Sequence, residues 1–323
     1  MSQTPRLIGE TPLADLQQLV GNNGLCLQTG PFSVRLYSDD RAIIETLQRL
    51  YFYHPLAEPE LRAMDFTISL RRPRALRRWW RPQIALHTDA ETPFEPFPLD
   101  HAMPLFEWGL NWVIAMQAHH YLMLHSAIVE KDGFALVMPA LPGSGKSTLC
   151  AALMLRGWRL LSDEFGLIRP QDPRTLLHPL PRPIPLKNQS IDVIRAFSGD
   201  AVFGPTFAKT RKGDVAHLMA SEQSQLDADR PAPPAWILFP RYRAQQSTSF
   251  SPLGKGTAFL KLSSNCFNYK LQGARGFRTI AHLANTCPAY FLEYSDLEDS
   301  IRAIEERHAH IIGNRVSAVH AAQ

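Results

Sequence analysis

The spacing of apolar and polar positions changes several times along the chain, and each change predicts an element. Gly24 to Tyr37 (GLCLQTGPFSVRLY) alternates on its second arm and carries Gly30-Pro31 near its middle, which predicts a hairpin turned there. Asp39 or Asp40 can cap a helix through Tyr51, in which Ile43, Leu47 and Leu50 recur at helical spacing. Asp65 to Leu70 alternates like a half-buried strand, and Pro93, Pro96 and Pro98 predict a linker-like stretch ending near Asp100. From Pro104 to His120 the period returns to about 3.6 through Phe106, Leu110, Val113, Ile114 and Ala118, predicting a helix.

A dense series follows. Strand Tyr121 to Glu130, turn Lys131-Asp132-Gly133, strand Phe134 to Pro139, a glycine loop, helix Ser147 to Arg156 and strand Arg159 to Asp163 succeed one another without spare residues. Beyond Pro170 proline is frequent, Ala235 to Phe239 and Ala258 to Leu262 read as buried strands, and a last helix is expected from about Leu297 to Ile312. These elements put one boundary near residue 100. A small α+β domain over 1–100 would recognise a partner, and 101–323 would form one larger domain.

Composition adds three constraints. A chain of 323 residues, 45% hydrophobic and 20% charged, is ordinary globular material rather than a disordered one. Its net charge of +4 is too small to announce a nucleic-acid or membrane partner. Yet residues 71–81 read RRPRALRRWWR, and without those six arginines 28 basic residues face 30 acidic ones. A nucleic-acid groove, a dock for an acidic peptide and a solvated loop all remain open for that segment.

Cys26, Cys150, Cys266 and Cys287 have no CxxC or metal-like spacing, which predicts reduced thiols and a cytoplasmic location. We expect no signal peptide, and no apolar run approaches the roughly 20 residues of a membrane span.

The chemistry concentrates in two segments. Ala140-Leu-Pro-Gly143-Ser144-Gly145-Lys146-Ser147-Thr148 fits G-x-x-x-x-G-K-[ST] with Ala140 in place of the first glycine. Gly143 and Gly145 allow backbone N–H groups, with Ser144 and Thr148 among them, to turn toward phosphate oxygens at a helix N-terminus. Lys146 supplies a charge to the β- and γ-phosphates of ATP, and the Ser147 hydroxyl suits Mg²⁺. Ala140 is compatible with this loop if its φ is negative. Sixteen residues after Ser147, Leu160-Leu161-Ser162-Asp163-Glu164 is an apolar strand ending in two carboxylates, expected beside the loop strand. One carboxylate can hold Mg²⁺ while the other takes a proton from an attacking hydroxyl. His125, in the preceding strand, is either a core histidine or part of this site.

Together these residues resemble the HPr kinase/phosphorylase group. That group joins a histidine-containing strand to a short hairpin, G-x-S-G-x-G-K-S, a helix and R-G-H-R-L-V-A-D-D. Here His125 to Glu130, Gly143 to Ser147 and Arg156-Gly-Trp-Arg-Leu-Leu-Ser-Asp163-Glu164 take those places. More narrowly the chain resembles the HprK-related kinase A branch, through Leu25 to Leu36, Glu107 to Asn111, Leu124 to Ala127, Arg182-Pro183, Leu186-Lys187, Arg211-Lys212-Gly213 and Phe267 to Tyr269.

The resemblance implies an α/β P-loop kinase domain of the HPr kinase/phosphoenolpyruvate carboxykinase type, with a small N-terminal α+β domain. It implies an ATP- and Mg²⁺-dependent serine kinase acting on a peptide, protein or small molecule, a PqqD-like partner and a homo-oligomer. Asp163 would be the general base, His125 would orient it or share its proton, and Glu164 with Ser147 would hold Mg²⁺. Phosphoryl transfer needs further cations, and Lys187 and Arg211 are the candidates. Asn265 and Asn268, around Phe267, fit either a substrate contact or core packing. Glu164 stands where the group has a second aspartate, and the E-I-R-G-L-G signature tied to phosphorolysis is absent. HPr itself is therefore not the expected acceptor. An ATP hydrolase using the same residues, or a nucleotide-sensing scaffold without turnover, are the rival readings.

Overall fold

The computed structural model describes residues 6–57, 63–73, 80–141 and 143–321. In chain order the first elements are α1 (Leu13–Gly21), β1 (Leu25–Thr29), β2 (Phe32–Ser38), α2 (Ala42–Leu50), β3 (Phe66–Arg71), β4 (Gln83–Thr88), β5 (Phe97–Pro98) and α3 (Ala102–Gln117). Then come β6 (Leu122–Lys131), β7 (Phe134–Pro139), α4 (Lys146–Leu155), β8 (Arg159–Ser162), β9 (Phe165–Ile168) and β10 (Leu177–His178). A third run contains β11 (Ile184–Lys187), α5 (Gln189–Phe197), β12 (Phe203–Thr210), β13 (Gly213–Leu218) and α6 (Glu222–Leu226). The last comprises β14 (Pro234–Tyr242), β15 (Ser249–Leu253), α7 (Lys255–Ser264), α8 (Tyr269–Thr286), β16 (Ala289–Tyr294) and α9 (Leu297–Ala321).

These elements make a mixed α/β chain of two compact units, 1–118 with 181–228 and 119–180 with 229–323. The division does not fall near residue 100. Helix α3 belongs to the first unit because its apolar face packs on β3 and β4. At Gly109 the approach is so close that a Cβ would lie 2.0 Å from Leu86 Cδ1. The proline-rich stretch before it is no free linker either, since β5 pairs antiparallel with β4 and closes that edge.

The first unit holds a five-stranded sheet in the order β1-β2-β3-β4-β5 and a three-stranded antiparallel sheet, β11-β13-β12. The hairpin at Gly30-Pro31 forms as expected, and β3 shows the strict alternation of a sheet buried on one face. Helix α2 buries Ile43, Ile44, Leu47 and Leu50, and the Asp40 carboxylate accepts from the Ala42 N–H at its start.

The second unit holds an eight-stranded mixed sheet. Its order is β10-β9-β6-β7-β14-β16-β15, with β8 also paired to β6. Strands β7, β14 and β16 are mutually parallel, and the apolar runs of β7 and β14 reflect burial on both faces. Residues 258–262 are helical rather than extended. Ala258 and Leu262, four apart, point one face of α7 into the core with Ile280 and Leu283 of α8. Among the described residues no helix is long and apolar enough to cross a membrane. All four cysteines are free, and Cys26, Cys150 and Cys287 are buried.

Candidate functional site

The glycine loop joins β7 to α4. Gly143 and Gly145 adopt φ of 82° and 87°, the left-handed region where a side chain is strained. Gly145 also has no room for one, because an added Cβ would stand 2.5 Å from the Tyr294 hydroxyl. Ala140 is not among the residues with positive φ, so an alanine fits there without strain.

Two carbonyls of the loop are occupied from neighbouring strand ends. Ser144 O accepts from the Tyr242 N–H at 3.0 Å, and Gly145 O accepts from the Tyr294 hydroxyl at 3.1 Å. Tying carbonyls down on one side holds the loop in a fixed conformation at the start of α4. There the first-turn N–H groups have no intrahelical partner and carry the positive end of the helix dipole. Ser144 Oγ is shielded from solvent and makes no hydrogen bond to a described residue.

The carboxylates arrive from the opposite edge of β6. Strand β8 is not beside β7, as expected from the short crossover; β6 lies between them, antiparallel to both. The long first arm of the hairpin, Leu122–Lys131, fills the position that a purely parallel reading leaves for β8. Register nevertheless brings the two turns to one level. Ser126 faces Pro139, the last residue of β7, and Ile128 faces Ser162, the last of β8. Both chains therefore leave β6 within two residues of each other.

Asp163 and Glu164 form the irregular step between β8 and β9, which otherwise follow one edge of β6. Ser162 shapes the step, its Oγ accepting from the N–H groups of Glu164 at 3.3 Å and Phe165 at 3.0 Å.

Lys146, 7% exposed, crosses to this step. Its ammonium donates to the Asp163 main-chain oxygen at 2.6 Å and lies 4.0 Å from Asp163 Oδ1. Asp163 is itself 5% exposed. Cys150, one turn beyond Lys146 on the same buried stripe of α4, has its thiol pushed well above the ordinary range by burial and then by the charge of Asp163. The site's carboxylate thus faces both the lysine and the thiol.

His125 is half-buried, with Nε2 at 3.8 Å from Glu164 Oε1 and its ring 5.3 Å from that of Phe267. Lys146, Ser147, Asp163, Glu164 and His125 thus lie at one end of the sheet, carried by α4, the β8–β9 step and β6.

Of the remaining candidates, Lys187 and Arg211 belong to the first unit, and Asn265 and Asn268 to the second. Lys187 is exposed at the end of β11, and its N–H donates to Ser190 Oγ at 2.8 Å. Arg211 stacks over Phe97 at 5.0 Å and Lys212 over Trp108 at 5.0 Å. Both lie in the first unit, the glycine loop in the second. Asn268 is tied to β6 by its side chain and Asn265 by its main chain. Asn268 accepts from the Met123 N–H at 3.0 Å and donates to Tyr121 O at 2.8 Å, while Asn265 O takes the His125 N–H at 2.6 Å. These bonds cover the edge of β6 that β7 leaves when it enters the loop.

In the arginine segment, Arg71 pairs with Asp39 at 2.8 Å and Arg72 with Asp40 at 3.4 Å, whereas Trp80 is 78% exposed. Residues 74–79 lie outside the described residues.

Tyr242 and Tyr294 escaped the sequence reading. A signal existed: two apolar strands, AWILFPRY and AYFLEY, each end in tyrosine, and ligands bind at the carboxyl ends of parallel strands. The chain matches no family model and no curated protein.

Proposed function

We propose that the second unit is an ATP- and Mg²⁺-dependent kinase domain of the HPr kinase/phosphoenolpyruvate carboxykinase type, transferring the γ-phosphate to a serine-type hydroxyl. The observation that carries this reading is the 2.6 Å bond from Lys146 Nζ to the main-chain oxygen of Asp163, which joins a glycine-hinged helix N-terminus to the residue bearing a buried carboxylate, 4.0 Å from the ammonium. Anionic phosphate at the loop would meet N–H groups, a helix dipole and a desolvated lysine. Lys146 would then exchange part of its bond to Asp163 O for phosphate oxygens.

Asp163 takes the proton from the acceptor hydroxyl as its oxygen attacks the γ-phosphorus, and the bond to the β–γ bridging oxygen breaks to release ADP. Among the described residues no cluster of three or more His, Cys, Asp or Glu could hold a metal by itself. That suits Mg²⁺, which binds through one or two protein oxygens plus phosphates and water. Ser147 and Glu164 are the oxygens to hold it, and it would neutralise charge on the phosphates. His125 would steer Glu164.

The test is transfer from γ-labelled ATP with Mg²⁺ to serine-containing peptides and to protein fractions. Asp163→Asn should keep ATP binding and lose transfer by roughly 10²–10⁴-fold. Label released only as free phosphate would make the enzyme a hydrolase. A wild-type protein that binds no ATP would end the reading.

A further inference from the structure

The loop is bordered by an exposed aromatic ring for which phosphate binding gives no use. Tyr242 is the last residue of β14, and Tyr294 is its register partner at the end of β16. Tyr294 is 1% exposed and turned inward onto Gly145 O; Tyr242 is 53% exposed. The two rings meet edge to face, 5.9 Å between centroids, so the buried tyrosine braces the exposed one. The backbone of Tyr242 is fixed as well, its N–H given to Ser144 O at 3.0 Å. Its Cβ lies 3.1 Å from where a Cβ on Gly145 would be, so the ring starts beside the loop. Arg241 and Arg243 flank it, and both reach Glu293, at 3.9 and 3.1 Å. One carboxylate offsets one of these two charges, so the edge presents an exposed ring beside a net single positive charge.

A large aromatic surface held rigidly in water next to a phosphate loop suits the flat face of a nucleobase. We propose that Tyr242 is the stacking platform for the base of the nucleotide whose phosphates bind at residues 143–148; this rests on the nucleotide reading given above. Stacking uses a π-face that every base has, so Tyr242 adds affinity for a nucleoside triphosphate without choosing strongly among bases. Tyr294 is a positioning residue that holds the loop and the platform in one frame.

Calorimetric titration of the full chain with Mg²⁺-ATP and with Mg²⁺-tripolyphosphate separates base from phosphate. Wild type should bind ATP about 10-fold more tightly than tripolyphosphate. In Tyr242→Ala that preference should vanish, with tripolyphosphate affinity unchanged, and Tyr242→Trp should keep it. Retained tripolyphosphate binding shows that the alanine variant is folded. The inference is overturned if wild type binds both ligands equally, if Tyr242→Ala keeps the preference, or if it weakens both ligands alike; the phosphate site survives each of these. If wild type binds neither ligand, the phosphate reading falls and the platform falls with it.

Discussion

Each unit buries a cation against a carboxylate, and the two pairs are built to opposite ends. In the first unit Arg182 Nη1 lies 3.3 Å from Glu107 Oε2, and both residues are nearly inaccessible. Tyr51 donates its hydroxyl to Glu107 Oε1 at 2.6 Å, and Asn111 Oδ1 accepts from Arg182 Nη2. Burial drives the Glu107 carboxyl up and Arg182 draws it back, while burial and the adjacent Glu107 push the Tyr51 phenol well above its ordinary range. The partners are side chains that have no other place to go.

In the second unit Lys146 sits 4.0 Å from Asp163 Oδ1 and spends its short bond on a main-chain oxygen. Its helix start is hinged by two glycines in left-handed conformations. A pair closed by side chains fixes a fold. A longer pair beside a helix N-terminus can be re-partnered by an anion.

Two substitutions should pull the comparison apart most strongly. Arg182→Met leaves Glu107 as an uncompensated buried charge and should cost about 3–5 kcal/mol of stability, read as a lowered urea midpoint. Lys146→Met removes a donor from the site. Under the kinase reading phosphoryl transfer should fall roughly 10²–10³-fold, and the urea midpoint should fall less than in Arg182→Met, because the lysine lies 4.0 Å from its carboxylate. Equal losses of stability in the two variants would show that Lys146 is a structural cation as well, and the contrast would be gone.

How much of this was legible depends on sequence distance. The loop, its helix and the Asp163-Glu164 step lie within 25 residues of one another, so local spacing was enough to bring them to one end of the sheet. The Asp132-Gly133 turn was equally local, with φ of 54° and 81°. Arg182, by contrast, looks like a surface cation in turn-rich sequence, and only a fold that brings residue 107 to residue 182 makes it a core residue. Residues 258–262 failed for another reason. Five apolar-rich residues satisfy a buried strand and a helical stripe alike, and the helix won through the pairing of α7 with α8. Strand β6 was expected, but its insertion between β7 and β8 was not, because pairing partners on a sheet are set by the whole ladder, not by crossover length.

Acid should sharpen the contrast at the next level of effect. His54 and His217, both in the first unit, are buried, and burial lowers them to about 4 and about 3, with Arg182 pressing both further down. The His54 ring donates Nδ1–H to Gln225 Oε1 at 2.6 Å, the tautomer that an amide oxygen requires. Lys187 also disfavours charge on His217. Because the unfolded chain takes up these protons first, near pH 6.5, stability is fully present above that pH. It is lost as pH falls toward 4 and 3. At pH 5 each histidine should cost about 2 kcal/mol. In the second unit His178, lowered to about 4 by burial and Arg169, is only partly buried and should cost less. Urea unfolding at pH 7 and 5 checks this, and the double variant His54→Gln/His217→Gln should lose most of the dependence. An undiminished slope there would move the acid sensitivity out of the first unit.

The smallest effect tests the comparison at single-atom scale, since each unit also places one buried tyrosine hydroxyl on an oxygen of the structures compared above. Tyr51→Phe strips the short bond from Glu107 Oε1 and leaves a buried carboxylate oxygen short of a donor. About 1–3 kcal/mol of stability should go, with tripolyphosphate affinity unaltered. Tyr294→Phe removes only one of two bonds to Gly145 O, because the Leu149 N–H continues to donate to it at 2.9 Å. No buried group is orphaned, so stability should fall by no more than about 1 kcal/mol. What changes is the set of the loop, and tripolyphosphate should bind several-fold more weakly. If Tyr294→Phe instead destabilises as much as Tyr51→Phe and binds tripolyphosphate normally, the end of β16 is ordinary packing, and the glycine loop keeps its conformation from Gly143, Gly145 and the Tyr242 N–H alone.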